Sequence, residues 1–401
     1  MTDHDTADLL SETLRDRVDH TDYPATSLAT VAARARTLRA RRRRTTVLAA
    51  AAAVALVVVP SAIWLGRSPG SSPEPSHHPT SRVSTLAALP VGPKPAVDYL
   101  LRDTYVSASG RDVTSRTLGR ATTAVQGARG VLAAVPPAPG LMQQAGIADI
   151  VTVTAGGSHV IGCGSDRFAL STDQTQSSYW LADHCPVPSS GRLYSGGLSS
   201  MAGTLGSTPT AAGQQVTPVG ILQQGTVVNV ERGRRTVAQI IAQNGTVQPL
   251  SGLTSVGGSD ENNDVVSGQP TGDSFGPGEV VDVASGSVVC QVPGWVLGQF
   301  SLDGRYVLGV QPADGVPDRY AVFDARTGAR VTLLQIGRGS LIGGPAIRQL
   351  GWDQRDSVLA VASDQTGEAI VRFDLNGAVT RATSVVPVDD HHPGYRLATR
   401  P

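Results

Sequence analysis

The stretch Ser259 to Val265, SDENNDV, carries the best-spaced oxygen ligands in this chain. Asp260, Asn262 and Asp264 alternate, the spacing that wraps carboxylate and amide oxygens around a calcium ion. Val265, however, stands where a calcium loop carries glycine, and no glutamate follows at the distance of a bidentate ligand. The stretch therefore reads more readily as a solvated loop between strands. Asp389-Asp390-His391-His392 is a second acidic and imidazole cluster, but Pro387 and Pro393-Gly394 flank it and give it the look of a loose tail. His77-His78 lies in a Pro/Ser tract, where two adjacent histidines make a poor metal site. No metal is assigned.

Catalysis needs convergent titratable groups, and few are offered. His159 in AGGSHVIGC and His184 beside Cys185 have neither a Gly-x-Ser-x-Gly nor a His-Glu-x-x-His motif near them. The glycines of GGLSSMAGTLGS, 196–207, follow no strand-to-helix pattern, so they read as turn and loop residues rather than a phosphate cradle. No catalytic residue and no cofactor is expected. Of three cysteines, Cys163 and Cys185 are expected to pair across neighbouring strands or a long loop, while Cys290 in the alternating SVVCQV reads as a buried strand residue. No Cys-x-x-Cys set points to zinc.

The element that must position everything else is the uncharged run Thr45 to Gly66, TTVLAAAAAVALVVVPSAIWLG, preceded by Arg41, Arg42, Arg43 and Arg44. As a helix it would reach roughly 33 Å, enough for the ~30 Å hydrocarbon core of a bilayer. The arginine cluster places the N-terminus in the cytoplasm and the C-terminal bulk outside it, in the cell membrane as a single-pass protein. A cleaved export signal, with Arg43-Arg44 as a twin-arginine pair, is the rival reading; the long polar segment before the run and the length of the run favour a retained anchor. A buried helix of a soluble domain fits poorly, because no polar face interrupts the run.

Residues 1–44 form a basic cytosolic segment in which Leu9, Leu10, Leu14, Val18 and then Leu28, Val31, Ala35, Leu38 recur at helical spacing on either side of Tyr23-Pro24. It reads as a stop-transfer flank, or as a docking helix for a cytosolic protein partner. The layout resembles membrane-bound anti-sigma regulators of high-GC bacteria, but residues 1–44 contain no cysteine and lack their zinc motif. Residues 67–95 are rich in Pro and Ser and read as an extended stalk.

The charge is balanced, 33 basic against 33 acidic residues, but unevenly spread. Residues 1–44 carry nine arginines and seven acidic residues; beyond Arg67 the remainder is 23 basic and 26 acidic. A slightly acidic exterior gives no footprint for nucleic acid, and the basic cluster suits anionic membrane lipid.

Residues 96–388 carry a faint repeat. VVNVERGRRTV around Asn229, VVDVASGSVV around Asp282, VFDARTGARV around Asp324 and RFDLNGAV around Asp374 each place an Asx residue before a glycine, as strand, tight turn and strand. Between them VLGQFSLDGRYVLGV, 296–310, and IRQLGWDQRDSVLAVA, 347–362, read as further hairpins, as does RFALSTDQTQSSYWLAD, 167–183. SLDGRYVLGV followed by YAVFDARTGARV resembles a blade of the WD-repeat-like or TolB-type propellers, well over 296–336, fairly over 226–295 and 347–385, and poorly over 97–225. The Gly-His and Trp-Asp pair of true WD repeats is absent.

The resemblance implies an all-β propeller. About 45 residues per blade gives six or seven blades, with both chain ends completing one of them, Val97 to Val106 pairing near Thr383 to Val388. A pair of β-sandwiches is the alternative, and 389–401 is read as a C-terminal tail. The expected function is a membrane-anchored, extracytoplasmic, non-catalytic binding or sensing module for a protein or small-molecule ligand. A transmembrane regulator acting through residues 5–40, and an exported hydrolase or lyase using carboxylates at the propeller mouth, are the alternatives.

Overall fold

The computed structural model describes residues 85–127, 130–137, 146–171, 175–185, 190–197, 206–233, 235–270, 276–312, 319–336, 346–354, 356–388 and 394–398. The chain divides into two units, Met1–His78 and Pro79–Pro401, and all of these residues belong to the second. The segment 1–44 with Arg41, Arg42, Arg43 and Arg44, the run 45–66, the stalk up to residue 84 and the cluster Asp389 to His392 lie outside them. No helix among the described residues is long and apolar enough to cross a membrane.

Strands β1 (Tyr99–Leu101), β2 (Thr104–Val106) and β3 (Val113–Thr114) form a four-stranded sheet with the final strand, β28 (Tyr395–Leu397), in the order β28-β1-β2-β3. Then β4 (Thr123–Gly127), β5 (Gly130–Val135), β6 (Ile147–Thr154), β7 (Gly157–Ser165), β8 (Ala169–Leu170), β9 (Gln176–Ala182), β10 (Gly191–Gly197) and β11 (Gly206–Thr210) make one eight-stranded sheet. Four regular sheets follow, each of four consecutive antiparallel strands. The first is β12 (Gln215–Leu222), β13 (Gly225–Arg232), β14 (Arg235–Ile241) and β15 (Val247–Pro249). The second is β16 (Ser255–Asp260), β17 (Val265–Gln269), β18 (Gly278–Asp282) and β19 (Val288–Val292). The third is β20 (Val296–Phe300), β21 (Tyr306–Gln311), β22 (Arg319–Asp324) and β23 (Arg330–Leu334). The last is β24 (Ala346–Gln354), β25 (Ser357–Asp364), β26 (Gly367–Asp374) and β27 (Val379–Arg381).

One edge strand of each sheet packs on that of the next: β8, which pairs only with β9, on β12, then β12 on β16, β16 on β20, β20 on β24, and β24 on β28. Among the described residues this is an all-β propeller with five separate four-stranded blades, not the six or seven anticipated from length. The difference lies in residues 123–210. There β7 pairs with β9 through Gly164 opposite Leu181, and a side chain at Gly164 would fall on the Trp180 carbonyl. The close backbone approach lets the strands on either side run on as one sheet.

The turns follow the expected chemistry in the later blades. The Asp282 carboxylate accepts from Ser285 N at 2.7 Å, and that of Asp324 from Thr327 N at 2.9 Å, while Gly286 and Gly328 hold φ of 67° and 68°. Asp374 also ends β26 before a positive-φ glycine, Gly377, but there the side-chain acceptor is Asn376, whose Oδ1 accepts from Ala378 N at 3.0 Å. Asn229 does not belong to this set. It lies within β13, and its amide donates to Val256 O at 2.9 Å and accepts from Val256 N at 2.8 Å, tying its blade to the next. The equivalent turn of that blade is Asn244-Gly245, where Asn244 Oδ1 accepts from Thr246 N at 2.9 Å.

The core is a set of inter-blade layers of small and β-branched residues, such as Val219, Val227, Ile240, Val266 and Val281 between two neighbouring blades. Cys163 on β7 and Cys185 beyond β9 form a disulfide, with Cα atoms 6.3 Å apart. Cys290 is a buried thiol on β19 whose Sγ donates to Ala325 O at 3.2 Å, and burial pushes its titration up.

The ring closes with both chain ends, but the partner of β1 is β28, not Thr383 to Val388. The stretch read as a tail thus holds the closing strand. The end of the supposed stalk is also part of the domain. Leu86 and Leu89 are buried against β25 and β26 neighbours such as Val358 and Val371, and the backbone of Gly92 and Pro90 bonds Arg381. Apolar residues three apart in STLAAL form a short 3-10 turn, Leu86–Ala88, that a reading for strand or α-helix period passes over.

Candidate binding site in the axial cavity

The strands that face the axis are irregular in one shared way. Against its hairpin partner β12 shifts register between Pro218 and Gly220, β16 between Val256 and Gly258, β20 between Leu297 and Phe300, and β24 at two places, between Ile347 and Gln349 and between Trp352 and Gln354. A bulge bends the strand and raises its local twist. Small residues accompany the bulges because neighbouring inner strands nearly touch. A side chain at Gly220 would fall on Ser259 Oγ, at Gly257 on Leu297 O, and at Gly258 it would lie 2.6 Å from Gly298 O.

These strands enclose a cavity of about 100 Å³, room for a few water molecules or one small side chain. Its apolar wall comes from Leu170, Val219, Phe300, Trp352 and Leu397, and its polar atoms from Ser171, Ser259, Gln299 and Ser301. None of the described lining residues is ionisable. Trp352 is fixed by its indole N–H, which donates to Gln299 O at 3.2 Å, and by Tyr306, whose ring is stacked at 6.4 Å. Ser267 Oγ donates to Gly298 O at 2.5 Å from the strand behind. Such a wall can bury an apolar group and satisfy a few hydrogen bonds. It offers no general acid or base.

Charge sits one layer further out. Asp353, the neighbour of Trp352, is buried and ion-paired with Arg372; its Oδ1 also accepts from Ala96 N at 2.7 Å, and Arg372 donates to Lys94 O at 3.0 Å. Glu368 is fully buried: Oε2 accepts from Gly394 N at 2.6 Å and Tyr395 N at 3.0 Å, and Arg348 lies 3.9 Å from Oε1. Arg396 donates to the carbonyls of Gly119, Arg102 and Leu118. Burial pulls this guanidinium down to about 10, against the opposing effect of the Glu368 carboxylate. These groups hold the chain ends together around the cavity wall.

The residues singled out by spacing are elsewhere. Asp260 is buried, and its carboxylate accepts from Asn262 N at 3.1 Å and Asn263 Nδ2 at 2.5 Å, capping its own turn. Asp264 has φ of 52° and accepts from Gln224 Nε2 at 2.6 Å. Burial first, and then Asp282, raise its titration. The two carboxylates are thus held by different partners, and among the described residues no three His, Cys, Asp or Glu side chains are grouped to hold a metal ion. His159 lies exposed on β7, and His184 is exposed beside the disulfide.

Spacing of titratable residues could not reveal the cavity, because its walls are uncharged. A usable signal was an apolar residue before glycine near the start of each blade: Val219-Gly220, Val256-Gly257, Leu297-Gly298 and Leu350-Gly351.

No protein-family model matches the chain, and no curated protein matches it. Solved structures with similar strand arrangements include an uncharacterized protein of Listeria monocytogenes, 9% identical over 75% of this chain and 87% of that one, TM-score 0.43. A functionally unknown protein of Desulfotomaculum acetoxidans is 12% identical over 75% and 98%, TM-score 0.41. A protein described as putative TolB from Agrobacterium tumefaciens is 14% identical over 59% and 87%, TM-score 0.36.

Proposed function

We propose that this chain is a single-pass membrane protein that presents a β-propeller outside the cytoplasm as a non-catalytic binding or sensing module, and that the axial cavity receives part of the ligand. The observation that carries the reading is the neutral wall of that cavity, where apolar faces and hydroxyl and amide groups converge from six strands. The run 45–66 behind Arg41 to Arg44 supports the anchor.

The test uses the full chain in intact cells. Added protease should release peptides from 85–401 while those from 1–44 stay protected; the reverse pattern, or a mature chain beginning after Ala62, overturns the anchor. A photo-crosslinking residue replacing Leu302, which lines the cavity and is 37% exposed, should give a discrete adduct that disappears in Ser259→Phe, where the added ring fills the space. An adduct no different from one formed at Val247, an exposed outer-strand position, overturns the binding role of the cavity.

A further inference from the structure

A second concavity lies away from the axis, where three successive sheets meet. Its walls are the start of β9, the turns β12–β13 and β14–β15, and the turn β16–β17. It measures about 390 Å³, within the range of small-molecule sites. Five amide-bearing residues line it from three elements: Gln176 from the start of β9, Gln223 and Gln224 from the β12–β13 turn, and Gln243 and Asn244 from the β14–β15 turn.

The surroundings show a built site. Ser195 and Thr226, both lining it, are joined by a hydroxyl hydrogen bond of 3.0 Å, and Ser195 continues to Ser178 at 2.8 Å, which fixes one wall across two sheets. Gln224 spans to the next blade through its 2.6 Å bond to Asp264. Asp264 is one of two non-glycine residues with positive φ among those described, and its Oδ1 is buried without a hydrogen-bond partner. Backbone strain of this kind, at roughly 1–3 kcal/mol per residue, persists where the surrounding structure imposes it, and it clusters at functional sites.

The lining selects a ligand class by exclusion. Among the described residues it contains no Lys, Arg or His, so a phosphate, sulfate or carboxylate would be buried there without a counter-charge from them. The described lining residues include no aromatic ring on which a planar base could stack. Its apolar floor is Ile221 and Leu222, too little for an acyl chain. What remains is an array of groups that donate and accept side by side, with one more acceptor in Glu261. Vicinal hydroxyls, each both donor and acceptor, match that array. We infer that this cleft binds a short neutral glycan, independently of what enters the axial cavity.

The test is calorimetric titration of the purified full chain, in a detergent without a sugar headgroup, with maltotriose, cellotriose and chitotriose, and with a sulfated trisaccharide as the anionic control. At least one neutral trisaccharide should bind at roughly millimolar concentration or below. The double variant Gln223→Ala, Gln243→Ala should weaken it at least about tenfold. Both residues are exposed, so the unfolding midpoint should not move. Ser259→Phe in the axial cavity should leave glycan binding unchanged, so that failure at one site is told from failure at the other. No heat from any neutral trisaccharide, equal binding of the sulfated one, or binding unaffected by the double variant overturns the inference.

Discussion

Two carboxylates in this propeller do the same chemical work in regions of opposite design. Asp324 accepts backbone N–H groups two and three residues ahead of it, inside one hairpin turn of a regular blade. Glu368 accepts the N–H groups of Gly394 and Tyr395, 26 and 27 residues away, and so holds the strand that completes the ring. The first is partly exposed, the second fully buried with charged neighbours. Where consecutive strands fold back on one another, a turn residue and an apolar face are sufficient. Where distant segments must meet, the fold uses buried charge, as in Glu368, Arg396 and Asp353–Arg372, or a covalent link, as in Cys163–Cys185.

The largest effect that tests this contrast is Glu368→Ala. Removing one partner from a buried charged set typically costs about 3–5 kcal/mol, because the remaining groups stay desolvated. Equilibrium denaturation should show a loss of that order, and hydrogen exchange should quicken first at Tyr99–Leu101, the strand paired with β28. A loss below about 1 kcal/mol would remove the distinction between the two regions.

Next in size is the covalent link. Cys163 and Cys185 are 22 residues apart, and a loop of that length is worth about 3 kcal/mol in the chain-entropy account. Cys163→Ala with Cys185→Ala should lower the thermal midpoint, and reductant should lower the unmodified chain by the same amount. Cys290, a buried thiol, should not react with an alkylating reagent until the chain unfolds.

Asp324→Ala should cost less, about 0.5–1.5 kcal/mol, because only local hydrogen bonds are lost. The same turns should respond to acid. Burial tends to raise Asp324 and Asp364, but hydrogen bonds from Thr327 and Thr366 outweigh it and leave both below the ordinary carboxylate value; Asp282 is lowered by the Ser285 hydroxyl. A depressed folded value means stabilisation that is full above the unfolded pKa of roughly 4 and is lost as the pH falls through the folded value. The denaturation midpoint should therefore be flat from neutral pH down to about 5 and fall below roughly 4, less steeply in Asp324→Ala.

The same division governs how far the sequence could be read. Asp282 and Asp324 announce their turns because an aspartate with a glycine four residues on has a local mechanism, and the hairpin at 296–310 is legible for a similar reason. Asn229 matched the pattern by type alone; its partner, Val256, belongs to the next blade, and nothing local distinguishes the two cases. Tyr395–Leu397 is three residues long behind Pro393-Gly394, too short to show a period, and Leu86 and Leu89 sit in a tract whose composition suggests a stalk. The axial cavity takes one or two neutral residues from each of six strands, so no contiguous motif could mark it.

The smallest predicted effect sharpens the comparison, because it concerns a turn that departs from the local rule. Asp264 occupies a left-handed conformation, which asparagine also tolerates, and its titration is raised by burial and by Asp282. A carboxylate raised in the folded state is one whose charge the fold disfavours, so its ionisation costs stability above the unfolded value and costs nothing below it. Asp264→Asn keeps an acceptor for Gln224 Nε2 while removing the charge beside Asp282. The gain at neutral pH should be a few tenths of a kcal/mol, since the pair is screened by water, and it should vanish below about pH 4 where the native residue is itself protonated. A loss at every pH would mean that the carboxylate is needed where it stands, to hold Gln224 across the two blades, rather than being an imperfect turn.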